Sequence, residues 1–150
     1  MHKSNYELME ELINADPWEV YTREQIEVDT ILIEKFYYLA SPYSKYPRGL
    51  ETAYHDACKI PMFLQENGLH IFSHIVHSHG PSYYAEDPNN KTSHDFWLTI
   101  DFKWVKLSRG LIVCMLESWK ESYGISKEIE LANSLGKPVY YTEYLKMPNI

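Results

Sequence analysis

Glu128 stands near the start of a helical segment, in the run Ser122-Tyr-Gly-Ile-Ser-Lys-Glu128-Ile-Glu130. A carboxylate at such a place points toward a ligand and is stabilised as an anion by the backbone N–H groups of the first turn. It could attack an electrophilic carbon. Position alone also fits an ordinary solvated glutamate, because Glu favours the first turn of any helix. Glu130, two residues on, points elsewhere and makes the natural solvated comparison. A second group is His94, Trp97 and Asp101, which fall within a narrow arc at about 100° per residue. An imidazole, an indole and an acid on one face could stack a planar base and hydrogen-bond its edge, or simply form a polar outer face. Asp95 lies off that arc, at a position suited to capping. His70, His74, His77 and His79 lie close together but run from a strand end into an expected loop, where alternate residues point apart. Without a cysteine or convergent geometry they do not make a zinc site, and no metal is expected. The turn Ser41-Pro-Tyr43-Ser44 offers hydroxyls and backbone N–H groups for one phosphate. It has neither GxGxxG nor a Walker pattern, which disfavours dinucleotides and nucleoside triphosphates.

These groups need elements to hold them. Phe36–Ala40 reads as a strand, residues 49–65 as a helix interrupted or kinked near Pro61, and residues 68–73 as a second strand. A long loop is expected from His74 to Ser93, with Gly80-Pro81 and Pro88-Asn-Asn as turn signals. A helix over 94–107, a strand over 111–116, a helix over 125–135 and a strand over 139–141 complete the alternation. That order predicts an α/β fold: a small doubly wound, Rossmann- or flavodoxin-like parallel sheet of four to five strands with right-handed crossovers. Residues 1–34 read as a helical extension, with capping-box patterns at Ser4–Glu7 and Thr22–Gln25, and residues 35–150 as the α/β domain.

Composition narrows the function. One domain of 150 residues can bury a real core. A formal charge of −7 argues against gripping a nucleic-acid polymer but leaves room for a mononucleotide, whose single phosphate backbone amides can hold. Thirteen tyrosines suit either a pocket that stacks on flat ligands or a Tyr-heavy core. Cys58 and Cys114 lack CxxC spacing and read as buried, reduced thiols. No run approaches membrane-spanning length, so a soluble, cytoplasmic chain is expected.

The pieces together resemble the nucleoside 2-deoxyribosyltransferase superfamily, and within it a small branch common in phages. The likeness covers about residues 36–141. It rests on Tyr-Leu-Ala-Ser-Pro-Tyr at 38–43, Ile-Val-His-Ser-His at 75–79, Asp95-x-Trp97 with Asp101, Leu-Ile-Val at 111–113, and Tyr-Gly-Ile-Ser-Lys-Glu-Ile-Glu-Leu-Ala leading into Gly-Lys-Pro-Val139. The family's nucleophilic glutamate follows a glycine by four residues, as Glu128 follows Gly124. Deoxyribosyltransferases place an aspartate six residues before it. The related nucleoside 5′-monophosphate N-glycosidases place a phosphate-binding serine there, matched by Ser122, and another after the first strand, matched by Ser41. The hydrolases' Arg-Gly-Gly is absent, and Tyr43-Ser44 stand in its place.

The resemblance implies an N-glycosidase cleaving the base–sugar bond of a (deoxy)nucleoside 5′-monophosphate. Glu128 would attack C1′ and Asp101 would assist the departing base. Ser41, Ser44 and Ser122 would hold the phosphate, Tyr43, His77, His79 and Trp97 would line the base pocket, and Gly124 would open the helix. It implies no cofactor and a homodimer or higher homo-oligomer. A nucleoside 2-deoxyribosyltransferase and a non-catalytic nucleotide-binding protein of the same fold are the alternatives.

Overall fold

The structure, a computed structural model, describes Glu7 and residues 36–150. The chain divides after Ile31 into two units, and the account below concerns the second. The capping boxes and helices expected within residues 1–34 lie outside the described residues, Glu7 apart. The described elements are β1 (Phe36–Ala40), α1 (Leu50–Glu66), β2 (His70–Ser73), α2 (His74–Ser82), a 3₁₀ turn (Pro88–Lys91), α3 (His94–Leu107), β3 (Gly110–Cys114), α4 (Tyr123–Ser134) and β4 (Val139–Thr142). The four strands form one parallel sheet in the order β2-β1-β3-β4. This is the small doubly wound α/β fold expected from the alternation. Among the described residues, no helix is long and apolar enough to cross a membrane.

Strand alternation splits the core in two. Tyr37, Leu39, Ile112 and Cys114 pack with Ala53, Ile60 and Leu64 of α1. Tyr38, Ala40, Leu111 and Val113 pack with Val105 of α3 and with Ile125 and Ala132 of α4. All five residues of β3 are buried, as a central strand covered on both faces requires. α1 runs unbroken through Pro61, so the interruption expected there does not occur. Gly110 has a local reason: a Cβ there would lie 2.9 Å from the Pro138 carbonyl oxygen, at the point where β3 meets the chain entering β4. Cys114 is buried, but Cys58 is only half-buried.

The expected loop over 74–93 is the largest departure. Ser73 ends β2 and at once caps α2, its hydroxyl accepting from the Val76 N–H at 3.5 Å. Gly80 and Pro81 sit in the last turn of this helix and end it rather than forbid it.

From β1 the chain builds outward to β2, then returns across the sheet to β3 and β4. The reversal of order therefore falls between β1 and β3. In such sheets a crevice opens outside the carboxyl ends of the strands at that point.

Candidate active site

A cavity of about 320 Å³ opens there. Its lining comes from the turn after β1, from the inner faces of α2, α3 and α4, which begin with His74, His94 and Tyr123, and from residues 91–93. Ser73, Ser93 and Ser122 cap these three helices, accepting from Val76, Phe96 and Ile125 N–H groups. Three positive helix ends thus converge on one hollow, an arrangement that favours anionic groups.

Ser41, Tyr43, Ser44, His79, Trp97, Asp101, Ser122, Gly124 and Glu128 all line the cavity. His77 does not. It is exposed, packs near Phe72 and Trp104, and lines a separate hollow with Pro81, Phe96 and Ile100. The reason is the helix itself: two residues along α2 is a turn of about 200°, so His79 and His77 face opposite ways.

Glu128 is 1% exposed. It lies in the second turn of α4, where backbone N–H groups are already bonded within the helix, so the expected amide stabilisation does not reach it. Its partner is instead Tyr38 of β1, whose hydroxyl donates to Oε1 at 2.7 Å, while Oε2 has no partner. Burial pushes the Glu128 carboxyl well above the usual range, the Tyr38 bond opposes that, and the charge of Asp101 adds to it. Asp101 is also buried, and burial raises its carboxyl to about 7. Of the expected arc, His94, Trp97 and Asp101 all reach the lining. Ser93, not Asp95, caps α3.

His74 and Tyr38 carry roles that sequence spacing did not reveal. The two rings stack with centroids 5.4 Å apart and planes within 6°. The imidazole lies against the Leu39 backbone, and its Nδ1, without a hydrogen-bond partner, is 3.8 Å from Glu128 Oε1. Burial lowers its pKa to about 4, so the ring is neutral and the contact is not an ion pair. Among the described residues, no three of His70, His74, His77 and His79 come together, and His74 instead lies near Asp101 and Glu128.

Another cluster joins the lining from the α1 side. The Tyr43 hydroxyl lies 2.7 Å from His79 Nδ1, and His79 Nε2 lies 3.4 Å from Glu51. His79 also stacks on Tyr54 at 4.1 Å, and the Tyr83 hydroxyl donates to Glu51.

A family model described as a domain of unknown function, DUF1937, matches residues 35–144. The chain belongs to this family. No curated protein matches the chain. The DUF1937 match spans all four strands and every lining residue named above, so sheet and cavity belong to a single family unit.

Proposed function

We propose that this DUF1937 protein is an N-glycosidase that cleaves the base–sugar bond of a (deoxy)nucleoside 5′-monophosphate with Glu128 as nucleophile. The observation that carries the reading is the Glu128 carboxylate: buried, held at one oxygen by Tyr38, and unpartnered at the other beside a cavity shared with Asp101. Donor atoms of the two carboxyl groups lie within 4.8 Å. Such closeness suits a double displacement, since retaining glycosidases hold their carboxyl pairs about 5–5.5 Å apart and inverting ones leave room for a water.

In the first step the Glu128 oxygen bonds C1′ as the C1′–N bond breaks and its electron pair leaves with the base. Asp101, kept protonated near neutrality by burial, gives its proton to that base. In the second step water attacks C1′, the ester bond returns its electrons to Glu128, and Asp101 recovers a proton. Tyr38 fixes the attacking carboxylate and sheds part of its burial cost. At the other end of the substrate, Ser41 Oγ is buried without a partner. Ser122 Oγ accepts from the Ile125 N–H, which leaves its own O–H free to donate. A hydroxyl capping a helix N-terminus, with a second from the turn after β1 in the same lining, suits a phosphate. Trp97 and Tyr43 offer ring faces for a base.

A panel of nucleosides and 5′-monophosphates, analysed by chromatography for released base, tests the reading. Base release from a monophosphate, abolished in a folded Glu128→Ala variant, is expected. An active Glu128→Ala variant overturns the nucleophile. Binding without release in every case favours a nucleotide-binding protein, and a new nucleoside on adding a second free base favours a deoxyribosyltransferase.

A further inference from the structure

His74 opens α2, whereas Asp101 and Glu128 sit midway along α3 and α4, yet one donor atom of each lies within 4.8 Å of the others. Among the described residues, neither carboxylate meets a lysine or arginine. Glu128 Oε2 and His74 Nδ1 are buried without partners, and Ser41 Oγ, in the same lining, is a third such atom. Nitrogen and oxygen donor atoms thus converge with no basic side chain between them, and the Tyr38 hydroxyl occupies only Glu128 Oε1. We propose that His74, Asp101 and Glu128 form a binding site for a divalent first-row transition cation, and that a bound cation withdraws Glu128 from glycosyl transfer. The binding half stands without the glycosidase reading, whereas the inhibitory half rests on it.

The outer contacts are those a metal-bound histidine needs. His74 Nδ1 is buried without a hydrogen-bond partner and stands beside the Glu128 carboxylate, with the ring set against the Leu39 backbone. Tyr38 anchors both neighbours, stacked on His74 and bonded to Glu128. Metal–ligand bonds of about 2.0–2.2 Å place two donors on one ion roughly 3–4 Å apart. His74 Nδ1 and Glu128 Oε1 already stand at 3.8 Å. With all three donor atoms within 4.8 Å of one another, an approach of about 1 Å would complete a three-donor face, since such bonds span at most roughly 4 Å across the ion. The cavity leaves the remaining positions to water. One imidazole with two carboxylates selects Mn²⁺, Co²⁺ or Zn²⁺ over Mg²⁺ and Ca²⁺, which take all-oxygen shells.

The test uses the full chain, first stripped with a chelator. Calorimetric titration with Zn²⁺, Mn²⁺ and Mg²⁺, and the visible spectrum with Co²⁺, should show one site per chain for the transition ions and much weaker binding of Mg²⁺. His74→Phe keeps the ring stacked on Tyr38 and removes the donor nitrogen, and Asp101→Asn removes a charge. Each should weaken Zn²⁺ at least about tenfold, while the exposed pair His70→Ala and His77→Ala should not. No binding to the folded protein overturns the proposal, as does binding that survives both His74→Phe and Asp101→Asn. Where a monophosphate releases base, Zn²⁺ should suppress release and a chelator restore it; undiminished release at saturating Zn²⁺ overturns the inhibitory half. Where no substrate turns over, the titrations decide the binding half alone.

Discussion

Tyr43, His79, Tyr83 and Glu51 meet on the α1 side of the cavity, while Tyr38, His74, Asp101 and Glu128 meet across β1, α2, α3 and α4. Both clusters hold tyrosine, histidine and carboxylate, but their environments differ. Glu51 is 65% exposed at its side chain, and the bond from Tyr83 holds its carboxyl below the usual range. Every ring nitrogen of His79 has a neighbour within hydrogen-bonding or ion-pair reach. In the second cluster both carboxyls are raised by burial, one imidazole is kept neutral, and two polar atoms go unpartnered. A satisfied network rigidifies a wall. An unsatisfied one destabilises the fold and persists where something must bind or react.

The sharpest way to break this contrast is Glu128→Gln. Base release should fall about a thousandfold or more, as expected for a lost nucleophile. Thermal melting at pH 8 should nevertheless be no lower than in the parent, because a carboxylate that folding must desolvate has been removed. A variant that retains release, or melts well below the parent, would place Glu128 among ordinary structural residues.

Asp101→Asn comes next, with a loss of about 10²–10⁴-fold from the missing proton transfer. Its stability effect depends on pH in a defined direction. The folded carboxyl titrates at about 7, above the ordinary 3.8. The native state therefore binds the proton more tightly than the unfolded chain, and this group's stabilisation, complete below about pH 4, is lost as pH rises through 7. In the presence of a chelator, Asp101→Asn should gain on the parent in melting temperature between pH 5 and pH 8. Parent activity should fall above about pH 7 as the acid deprotonates. Parallel melting curves for the two proteins across that range would show that Asp101 titrates normally.

Tyr38→Phe probes the link between β1 and the proposed nucleophile. It removes the O–H that bonds Glu128 Oε1 and leaves the ring stack on His74. A hydrogen bond to a charged group is worth about 1.5–3 kcal/mol, so release should drop roughly tenfold to a hundredfold. The acidic limb of its pH–rate profile should move up, because the contact that lowers the Glu128 pKa is gone. An unchanged profile would deny Tyr38 a positioning role.

The reach of sequence reasoning follows the same line between local and long-range causes. β1 and α3 lie where hydrophobic periodicity placed them, and the parallel pairing follows from the alternation of strands and helices. The helical arc correctly put His94, Trp97 and Asp101 on one face, since that relation is set within a single element. α2 was missed because Gly80-Pro81 reads as a turn when nothing shows that Ser73 is already a helix cap. With α2 went the facing of His77. Tyr38 and Glu128 lie 90 residues apart, and their bond depends on the packing of α4 against β1, which no local spacing encodes.

On the satisfied side, Tyr43→Phe should have a smaller effect. It removes the bond to His79 Nδ1 and costs about 1 kcal/mol. If Tyr43 contacts substrate away from the reacting bond, as proposed, the variant should raise KM while leaving kcat in place. A collapse of kcat instead would move the chemistry toward the Tyr43–His79 pair and reverse the contrast between the clusters.

Glu130 sets the baseline for all of these. It sits two residues beyond Glu128 on the same helix, but its side chain is 65% exposed and pairs with Lys127 at 2.8 Å. The rotation of about 200° between them turns one carboxylate into the cavity and the other into water. Solvent screens the Glu130–Lys127 pair and leaves it little net energy. Glu130→Gln should therefore change neither base release nor melting temperature measurably. Only against that silence can the Glu128→Gln loss be assigned to the buried site rather than to the charge of α4 as a whole. An equal loss in both variants would mean that the helix carries a general electrostatic effect and that burial does not single out Glu128.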